Sequence, residues 1–232
     1  MPDLSDLLRR AALFRDCTPE QLSAFLGAGT LRAVEEDSFF FQQGDPAGRL
    51  YVLAQGRAAL TQVTPDGQQI TLRILIPGQM FGALGLAETQ AVYPAAAQAL
   101  EDSQAMAWKV AEFRALAEGI PSMAFNVMGL MAAYIQEMQD RYRELATERV
   151  EQRLARALLR LAAQSSRRTD EGLLIEIALT RQDLAQMAGT TLYTVSRMLS
   201  EWERQGLIRS GRERIVVANP HGLVRIAEDL LH

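Results

Sequence analysis

The run LTRQDLAQMAGTTLYTVSRMLSEWERQG, residues 179–206, predicts two short helices joined by a turn. Thr180 and Asp183 have the spacing of a capping pair, and Gly189 closes the first helix because glycine tolerates a left-handed backbone. Thr191 is placed to cap the second helix. In that helix, apolar residues recur at spacings of three and four: Val195, Met198, Leu199 and Trp202. This periodicity predicts one buried and one exposed face.

The exposed face of the second helix carries side chains that suit DNA recognition. A recognition helix presents such a face to base edges in the major groove, where arginine reads guanine. We therefore predict that Arg197 reads a guanine. The other predicted DNA-binding residues are Thr180, Arg181, Gln182, Thr191, Leu192, Tyr193, Ser196 and Arg212.

Two β-prone runs, residues 207–210 and 213–217, follow the second helix and flank a Gly211-Arg212 turn. A third run, residues 173–177, alternates in the way expected of a strand and precedes the first helix. Together they predict a wing beside the two helices. A pair of packed core helices is the alternative, but the turn glycine, the caps and the wing favour a DNA-binding helix-turn-helix.

The motifs LTRQDLAQMAG, TVSR and IVVANP resemble the C-terminal domain of the CRP/FNR family of bacterial transcription regulators. QGDP, YVLAQGRAALTQVTPDGQQ and PGQMFGALGL are similar to the β-roll of that family in order and spacing. The resemblance implies an α+β fold in three parts. These are an antiparallel, jelly-roll-like sensor domain with N-terminal helices (1–120), a dimerisation helix (121–147) and a winged-helix DNA-binding domain (148–232). It also implies a sequence-specific regulator that binds an inverted repeat in double-stranded DNA as a homodimer, with RNA polymerase as a further partner.

Short β-prone segments separated by glycine and proline turns fill residues 31–108 and predict the strands of the roll. Before them, residues 4–15 predict one amphipathic helix, and Thr18 caps a second that runs to Leu26. The residues predicted to supply the interior of the roll are Leu50, Val52, Ala59, Leu60, Val63, Ile70, Leu72, Ile74 and Ile76.

Residues 82–86, GALGL, are here called the cassette loop and lie where cyclic-nucleotide-binding members of the family hold the phosphate. The resemblance implies a glutamate after the first glycine and an arginine-serine pair further on; this chain has Ala83, Tyr93 and Pro94 instead. Because burying an anion without a cation is costly, we expect no cyclic AMP binding. The effector is unknown, and its predicted pocket residues are Gly82, Ala83, Leu84, Tyr93 and Met138.

Two other signals remain alternatives to an unknown effector. One is a cyclic nucleotide, the usual ligand of this type of roll. The other is a redox or nitric-oxide signal, because Cys17 is a candidate redox switch and the YPAAAQAL run looks like a nitric-oxide-responsive branch of the family.

Pro121 starts the longest predicted helix, whose apolar residues form a coiled-coil pattern. The seam, as we name the predicted dimer stripe, consists of Phe125, Met128, Ala132, Ile135, Gln139 and Tyr142. A neighbouring stripe, from Val127 to Leu145, suits contact with the protein's own roll. A helix buried within a monomer is the alternative, and a hinge is expected at residues 147–149.

Composition excludes several classes of protein. One cysteine and two histidines among 232 residues exclude an intrachain disulfide, a metal cluster held by cysteines and a histidine-rich metal site, so neither metal nor cofactor is expected. No enzyme motif is found, and no apolar run is long enough to span a membrane, so a cytoplasmic protein is expected. The net charge is −4, but residues 148–232 hold 13 arginines against 11 acidic residues. So small an excess favours a few well-placed arginines over a general coating of DNA.

Overall fold

In the computed structural model, residues 4–65, 67, 69–88, 90–176, 180–211 and 214–229 are described. The chain divides into two units, Met1–Glu137 and Met138–His232. The long helix α4, Pro121–Thr147, begins in the first unit and ends in the second. Among the described residues, no helix is both long enough and apolar enough to cross a bilayer.

The first unit opens with two helices, α1 (Leu4–Arg10) and α2 (Pro19–Ala28). The prediction of one helix over residues 4–15 is wrong, because Ala11 adopts an extended backbone and a short 3-10 helix follows it. Thr18 caps α2 as predicted: its hydroxyl accepts a hydrogen bond from the Gln21 backbone N–H. The helix runs two residues beyond its predicted end.

Two four-stranded antiparallel sheets form the β-roll that the sequence predicts. One has the strand order β1-β8-β3-β6 and the other β2-β7-β4-β5. The strands are β1 Thr30–Val34, β2 Phe39–Phe41, β3 Arg49–Gln55, β4 Ala58–Val63, β5 Gln69–Leu75, β6 Met80–Phe81, β7 Ala96–Ala99 and β8 Ser103–Lys109.

Strand β3 is buried on both faces. Alternate side chains of a strand point to opposite faces. Leu50 and Val52 accordingly pack with the helices, whereas Tyr51 and Leu53 pack inside the roll. The predicted interior of the roll is largely wrong: Leu50 and Val52 face the helices, and of the predicted set Leu60 packs against the core inside the roll. On β4 and β5 the residues in that core are Ala58 and Leu75, one position away from the predicted Ala59 and Ile74. Val63 is 53% exposed, because it ends β4 at the turn before β5.

An aromatic cluster joins the helices to the roll. Trp108, Phe14, Phe25 and Phe113 contact one another edge-on or tilted, with ring centroids 5.0–6.4 Å apart. The indole N–H of Trp108 donates a 2.7 Å hydrogen bond to the carbonyl of Phe25. Helix α3, Val110–Ala117, follows β8 directly and contributes Phe113.

The second unit is a helical domain with a four-stranded antiparallel sheet of order β11-β12-β10-β9. The hairpin β11-β12 is the predicted wing, and β10 pairs with it as expected, with Leu174 opposite Val216. Strand β9 was not predicted, since its residues Ser-Arg-Arg-Thr are polar. The elements are α5 Val150–Gln164, β9 Ser166–Thr169, β10 Gly172–Ile175, α6 Arg181–Ala188, α7 Leu192–Arg204, β11 Ile208–Gly211, β12 Arg214–Val217 and α8 Pro220–Ala227.

The α+β fold, with its β-roll, long helix and winged helix-turn-helix, is therefore confirmed. Residues 177–179 and 212–213, which belong to the predicted strand, helix and wing, lie outside the described residues.

Candidate functional site

Helices α6 and α7 form a helix-turn-helix whose ends are fixed by the predicted caps. The Thr180 N–H donates to the Asp183 carboxylate at 2.8 Å, and the Asp183 N–H donates to the Thr180 hydroxyl at 3.1 Å. Gly189 follows α6 with φ +60°, and a Cβ there would lie 2.9 Å from Cδ2 of Leu145. The turn therefore favours glycine for its left-handed backbone conformation, whereas the exposed Leu145 side chain could move aside for a Cβ.

The inner face of α7 is buried as its periodicity predicts. Val195, Leu199 and Trp202 are fully buried. The Trp202 indole N–H donates to the Glu151 carboxylate of α5 at 3.2 Å, which fixes α7 against α5. The Thr191 hydroxyl caps α7 by accepting from the Thr194 N–H at 3.2 Å.

The outer face of α7 is left to solvent. Leu192, Tyr193 and Arg197 are exposed, Tyr193 by 77%, and Ser196 is half-buried. Within the described part of the chain, the Arg197 side chain forms no ion pair or hydrogen bond. Thr180, Arg181, Gln182 and Thr191 are also exposed, and Arg212 lies outside the described residues.

Sequence reasoning missed the charged pairs at the base of the wing. The carboxylate of Glu171 accepts from Arg209 at 2.7 Å and from Arg214 at 3.1 Å, although all three side chains are exposed. Arg209 follows the buried Ile208 and Arg214 precedes the buried Ile215, but no local pattern pairs either arginine with Glu171, which comes from the turn between β9 and β10. They place positive charge on the wing, next to the turn.

Three arginines of α5 hold the start of the second unit to the helix-turn-helix, and none was predicted. Arg153 donates to the carbonyl of Glu148 at 2.6 Å and to that of Ala188, the last residue of α6, at 2.8 Å. Arg156 pairs with Glu148, and Arg160 pairs with the buried Glu144 near the end of α4 at 2.6 Å. The end of α4, the linker and α6 are thereby joined through α5.

The predicted seam of α4 is exposed in the single chain. Phe125 is 70% exposed, Ile135 54% and Tyr142 76%, and Met128, Ala132 and Gln139 are exposed too. The first part of the neighbouring stripe differs, since Val127 packs against the buried cluster of the first unit and Met131 and Tyr134 line a cavity. Its last two residues, Met138 and Leu145, are exposed. Large apolar side chains in water along one helix face are typical of a surface that binds a partner.

The cassette loop is a short 3-10 helix, Ala83–Leu86, preceded by Gly82 with φ +72°. A Cβ on Gly85 would collide with the carbonyl oxygen of Ala47. The Arg114 guanidinium donates to the carbonyls of Gly85 at 3.1 Å and Leu86 at 2.7 Å. Backbone conformation at Gly82 and packing at Gly85 therefore explain why the loop contains these glycines, without a ligand.

Tyr93 is buried at 4% exposure, and its polar group is fully used. Its hydroxyl donates to the Arg49 carbonyl at 2.6 Å and accepts from the Arg49 N–H at 3.2 Å. Its ring stacks on Phe41, with centroids 3.7 Å apart. Burial raises the pKa of the phenol to about 12, so the side chain is neutral at physiological pH.

A cavity of about 460 Å³ lies beside the cassette loop in the first unit. The predicted pocket residues Gly82, Ala83, Leu84 and Tyr93 line it. Met138 is not among the lining residues, and its part in an effector pocket stays a prediction. Helix α4 contributes a different set: Leu130, Met131, Ala133, Tyr134 and Glu137. Glu137 faces Arg73 of β5, with 3.7 Å between Oε2 and Nε.

Two other kinds of chemistry find little support in the geometry. No group of three His, Cys, Asp or Glu side chains within the described ranges is placed to hold a metal ion. Cys17 is half-buried, and this burial raises the pKa of its thiol. The nearby negative charge of Asp16 raises it further. A raised pKa lowers the thiolate fraction, which is the form that reacts with oxidants.

Comparison with known proteins identifies relatives of both units. A model of the Crp-like helix-turn-helix domain matches residues 152–226, and a model of the cyclic nucleotide-binding domain matches residues 31–119. The chain is 31% identical over 220 residues to the cyclic AMP receptor protein of Thermus thermophilus, covering 95% of this chain and 98% of that protein. It is 28% identical over 179 residues to the anaerobic regulatory protein of Bacillus subtilis, covering 77% and 75%.

Solved structures show the same fold. FixK2 from Bradyrhizobium japonicum superimposes with a TM-score of 0.76 over 85% of this chain and 96% of that one, at 23% identity. A CRP-family transcriptional regulator from Thermus thermophilus superimposes with a TM-score of 0.73 over 85% and 96%, at 25% identity.

Proposed function

The chain belongs to the CRP/FNR family of transcription regulators, and from this premise we propose that it binds an inverted-repeat operator as a homodimer. The outer face of α7 is the observation that carries the proposal. Arg197 and Tyr193 are exposed near the start of a helix whose other face is locked into the domain core. Base edges in the major groove are read by side chains in this position.

We assign direct base reading to Arg197. A guanidinium can donate two hydrogen bonds to O6 and N7 of guanine, and in the described chain no carboxylate competes for this one. Tyr193, Ser196 and Leu192 lie on the same face and are assigned to neighbouring bases or phosphates. Thr180, Arg181, Gln182 and Thr191, at the starts of the two helices, are assigned to the DNA backbone because helix N-termini suit phosphate. The predicted contact of Arg212 remains part of the proposal.

The seam of α4 is the proposed dimer contact. Leaving a large apolar side chain in water costs about 1.5 to 3 kcal/mol relative to burying it, and Phe125, Met128, Ile135 and Tyr142 are all exposed in one chain. A two-fold dimer presents two recognition helices to half-sites about 34 Å apart, one turn of DNA. This arrangement matches an inverted repeat.

A selection from random double-stranded DNA, followed by a matched pair of variants, tests the proposal. Wild-type protein should enrich an inverted repeat and sediment as a dimer. Ile135→Glu should sediment as a monomer and bind the selected operator about 100-fold or more weakly, because the two half-sites are no longer linked. The control is Gln136→Glu, which adds the same charge at an exposed position beside the seam and should remain a dimer.

Two outcomes would contradict the proposal. A dimeric Ile135→Glu variant would show that the seam is wrongly assigned. Enrichment of single half-sites by wild-type protein would show that the operator is not an inverted repeat. RNA polymerase is the further partner that the family suggests, and transcription from a promoter carrying the selected operator, with and without the protein, tests that contact.

We also propose that cyclic AMP is not the effector, although the Thermus thermophilus relative is named as its receptor. Three features of the first unit support this. Ala83 and Pro94 offer no charged group, and the hydroxyl of Tyr93 is already bonded to Arg49. Arg73 lines the cavity but faces a carboxylate. A redox signal through Cys17 has less support, since the pKa of its thiol is raised.

A further inference from the structure

The geometry of the cavity points to one class of effector: an uncharged, mainly apolar small molecule with a single hydrogen-bonding group. This inference rests on the proposed function in one respect, that the cavity is the effector pocket. It goes further, because it names the chemistry of the ligand.

The walls of the cavity are apolar and come from separate parts of the first unit. Leu60 and Leu72 lie on the strands β4 and β5, Met80 on β6, and Leu130 and Met131 on α4. A volume of about 460 Å³ falls within the range of small-molecule sites, which hold ligands of two or three rings. Apolar walls of this kind reward the burial of rings or alkyl groups and oppose the burial of charge.

The charged groups of the lining cancel. In the part of the chain that the structure describes, Arg73 supplies one positive charge and Glu137 one negative charge, and no other charged side chain lines the cavity. Both side chains are about three-quarters buried. An anionic ligand would bring a net negative charge into an apolar space with no spare cation, whereas an uncharged ligand keeps the site neutral.

The Arg73–Glu137 pair still offers polar contacts. Nε of Arg73 is buried and has no hydrogen-bond partner among the described residues, and the Glu137 carboxylate lies 3.7 Å from it. A ligand group that accepts from Arg73, donates to Glu137, or does both would improve on this long contact without adding charge. A carbonyl, amide, hydroxyl or secondary amine on an apolar body fits this description.

The lining also explains how such a ligand would reach the rest of the molecule. Leu130, Met131, Tyr134 and Glu137 belong to α4, the helix whose other stripe is the proposed seam. A ligand in the cavity contacts that helix directly. Occupancy is therefore expected to act on the dimer contact.

A pair of fluorescent probes that differ in one group tests the inference on the purified full-length protein. N-phenyl-1-naphthylamine is uncharged and has one N–H group, and 8-anilinonaphthalene-1-sulfonate has the same rings with an added sulfonate. The uncharged probe should bind at least tenfold more tightly than the sulfonate. Glu137→Gln removes the negative charge that faces Arg73, so the ratio of the two probe affinities should fall at least fivefold. Arg73→Gln removes the positive charge, so this ratio should rise.

Filling variants locate the binding. Ala133→Trp adds a large ring to the lining and should weaken binding of the uncharged probe at least tenfold. Ala111→Trp, the same change at an exposed position of α3 outside the cavity, should leave it unchanged. If Ala133→Trp does not fold, as judged by circular dichroism, Ala95→Leu fills the cavity from the loop before β7.

Each result is decisive. Equal affinity for the two probes, or probe binding that no filling variant weakens, would overturn the inference. Operator binding is measured on the same preparations with and without the uncharged probe, because occupancy is expected to act on the dimer contact, and it counts as failed only if neither sample binds. Intact operator binding combined with failed probe binding removes only this inference, whereas failed operator binding removes the proposed function and leaves the probe result to stand.

Discussion

The helix-turn-helix and the cassette loop differ in what their side chains are free to do, although both keep the backbone of the family. Each places a glycine in the left-handed region, Gly189 at φ +60° and Gly82 at φ +72°. In α7, Arg197 remains exposed without a partner in the described chain, as a reading residue should be. In the cassette region, Tyr93 is buried and its ring stacks on Phe41, while its hydroxyl both accepts a hydrogen bond from Arg49 and donates one to it. A shared backbone therefore does not decide what a site binds, and function has to be argued from side chains.

The arginines of the second unit show the same contrast. The α5 residues Arg153, Arg156 and Arg160 bind carbonyls and carboxylates inside the unit. Arg197 is not. Counting arginines therefore says little about DNA reading, and the partners of each guanidinium decide which ones can contact bases.

The largest effect is expected from Arg197→Ala at the recognition face. Loss of a two-bond contact to guanine should cost about 1 to 3 kcal/mol on the selected operator and flatten discrimination at one base pair. Binding to a series of operators, each mutated at one position, measures both quantities. Arg204→Ala is the control, because Arg204 lies at the far end of α7 and pairs with Glu201. Equal losses for Arg197→Ala on every sequence would reduce Arg197 to a phosphate contact.

A specific base preference should also appear opposite Tyr193. A tyrosine ring offers apolar contact to a thymine methyl group and a hydroxyl that donates or accepts. Tyr193→Phe should keep the preference for thymine, which comes from the ring, and lose any affinity that comes from a hydrogen bond of the hydroxyl. The same operator series measures this, and an unchanged profile for Tyr193→Ala would show that the ring reads nothing.

A smaller effect, on stability and not on DNA, is expected from Tyr93→Phe. The change leaves the Arg49 N–H and carbonyl without their partner, and because both bonds are only partly buried this should cost about 0.5 to 1.5 kcal/mol of unfolding free energy. The pKa of the folded phenol, about 12, lies above its ordinary value of 10. The stabilisation linked to this proton is therefore fully present below pH 10 and is lost as the pH rises from 10 to 12.

Denaturant unfolding of both proteins between pH 8 and pH 12 checks the direction. The stability difference between wild type and Tyr93→Phe should shrink across the upper part of that range. Tyr193→Phe is the control, since Tyr193 is 77% exposed and, without DNA present, its change should alter neither stability nor its pH dependence. A stability difference that stays constant with pH would show that the phenol titrates equally in both states.

Local signals in the sequence were sufficient for most of the fold. Caps at Thr18, Thr180 and Thr191, the N1 proline of α4 and the periodicity of α7 depend on neighbours a few residues away, and the structure confirms each. Strand β9 was not predicted, because its pairing with β10 is set by tertiary contact and not by its polar residues. The first helix is shorter than predicted because the apolar residues after Arg10 pack from a 3-10 turn.

The sites divide in the same way. The exposed face of α7 follows from helix geometry alone, so Arg197 and Tyr193 could be named from the sequence. The Arg73–Glu137 pair could not, because the two residues are brought together only by the packing of α4 on β5. The α5 arginines are similar, since the carbonyls and carboxylates that they contact are brought near them by packing and not by any periodicity. The predicted domain limits at residues 120 and 147, the seam and the individual DNA contacts remain predictions.

The smallest effect is expected from adding cyclic AMP, and a known cyclic AMP receptor serves as the positive control. At millimolar concentration, cyclic AMP should leave the melting temperature of the protein and its operator affinity unchanged, whereas the Thermus thermophilus receptor should be stabilised under the same conditions. A ligand that binds only the folded state at 100 times its Kd stabilises by about 2.7 kcal/mol, which is several degrees for a domain of this size. The nucleotide phosphate would have to displace Glu137 from Arg73 or break the bonds of Tyr93 to Arg49, because Arg73 is the one cation among the described residues that line the cavity. A rise of several degrees in this protein would mean that the cavity rearranges to receive the phosphate, and the contrast between the unchanged recognition helix and the altered cassette region would then no longer hold.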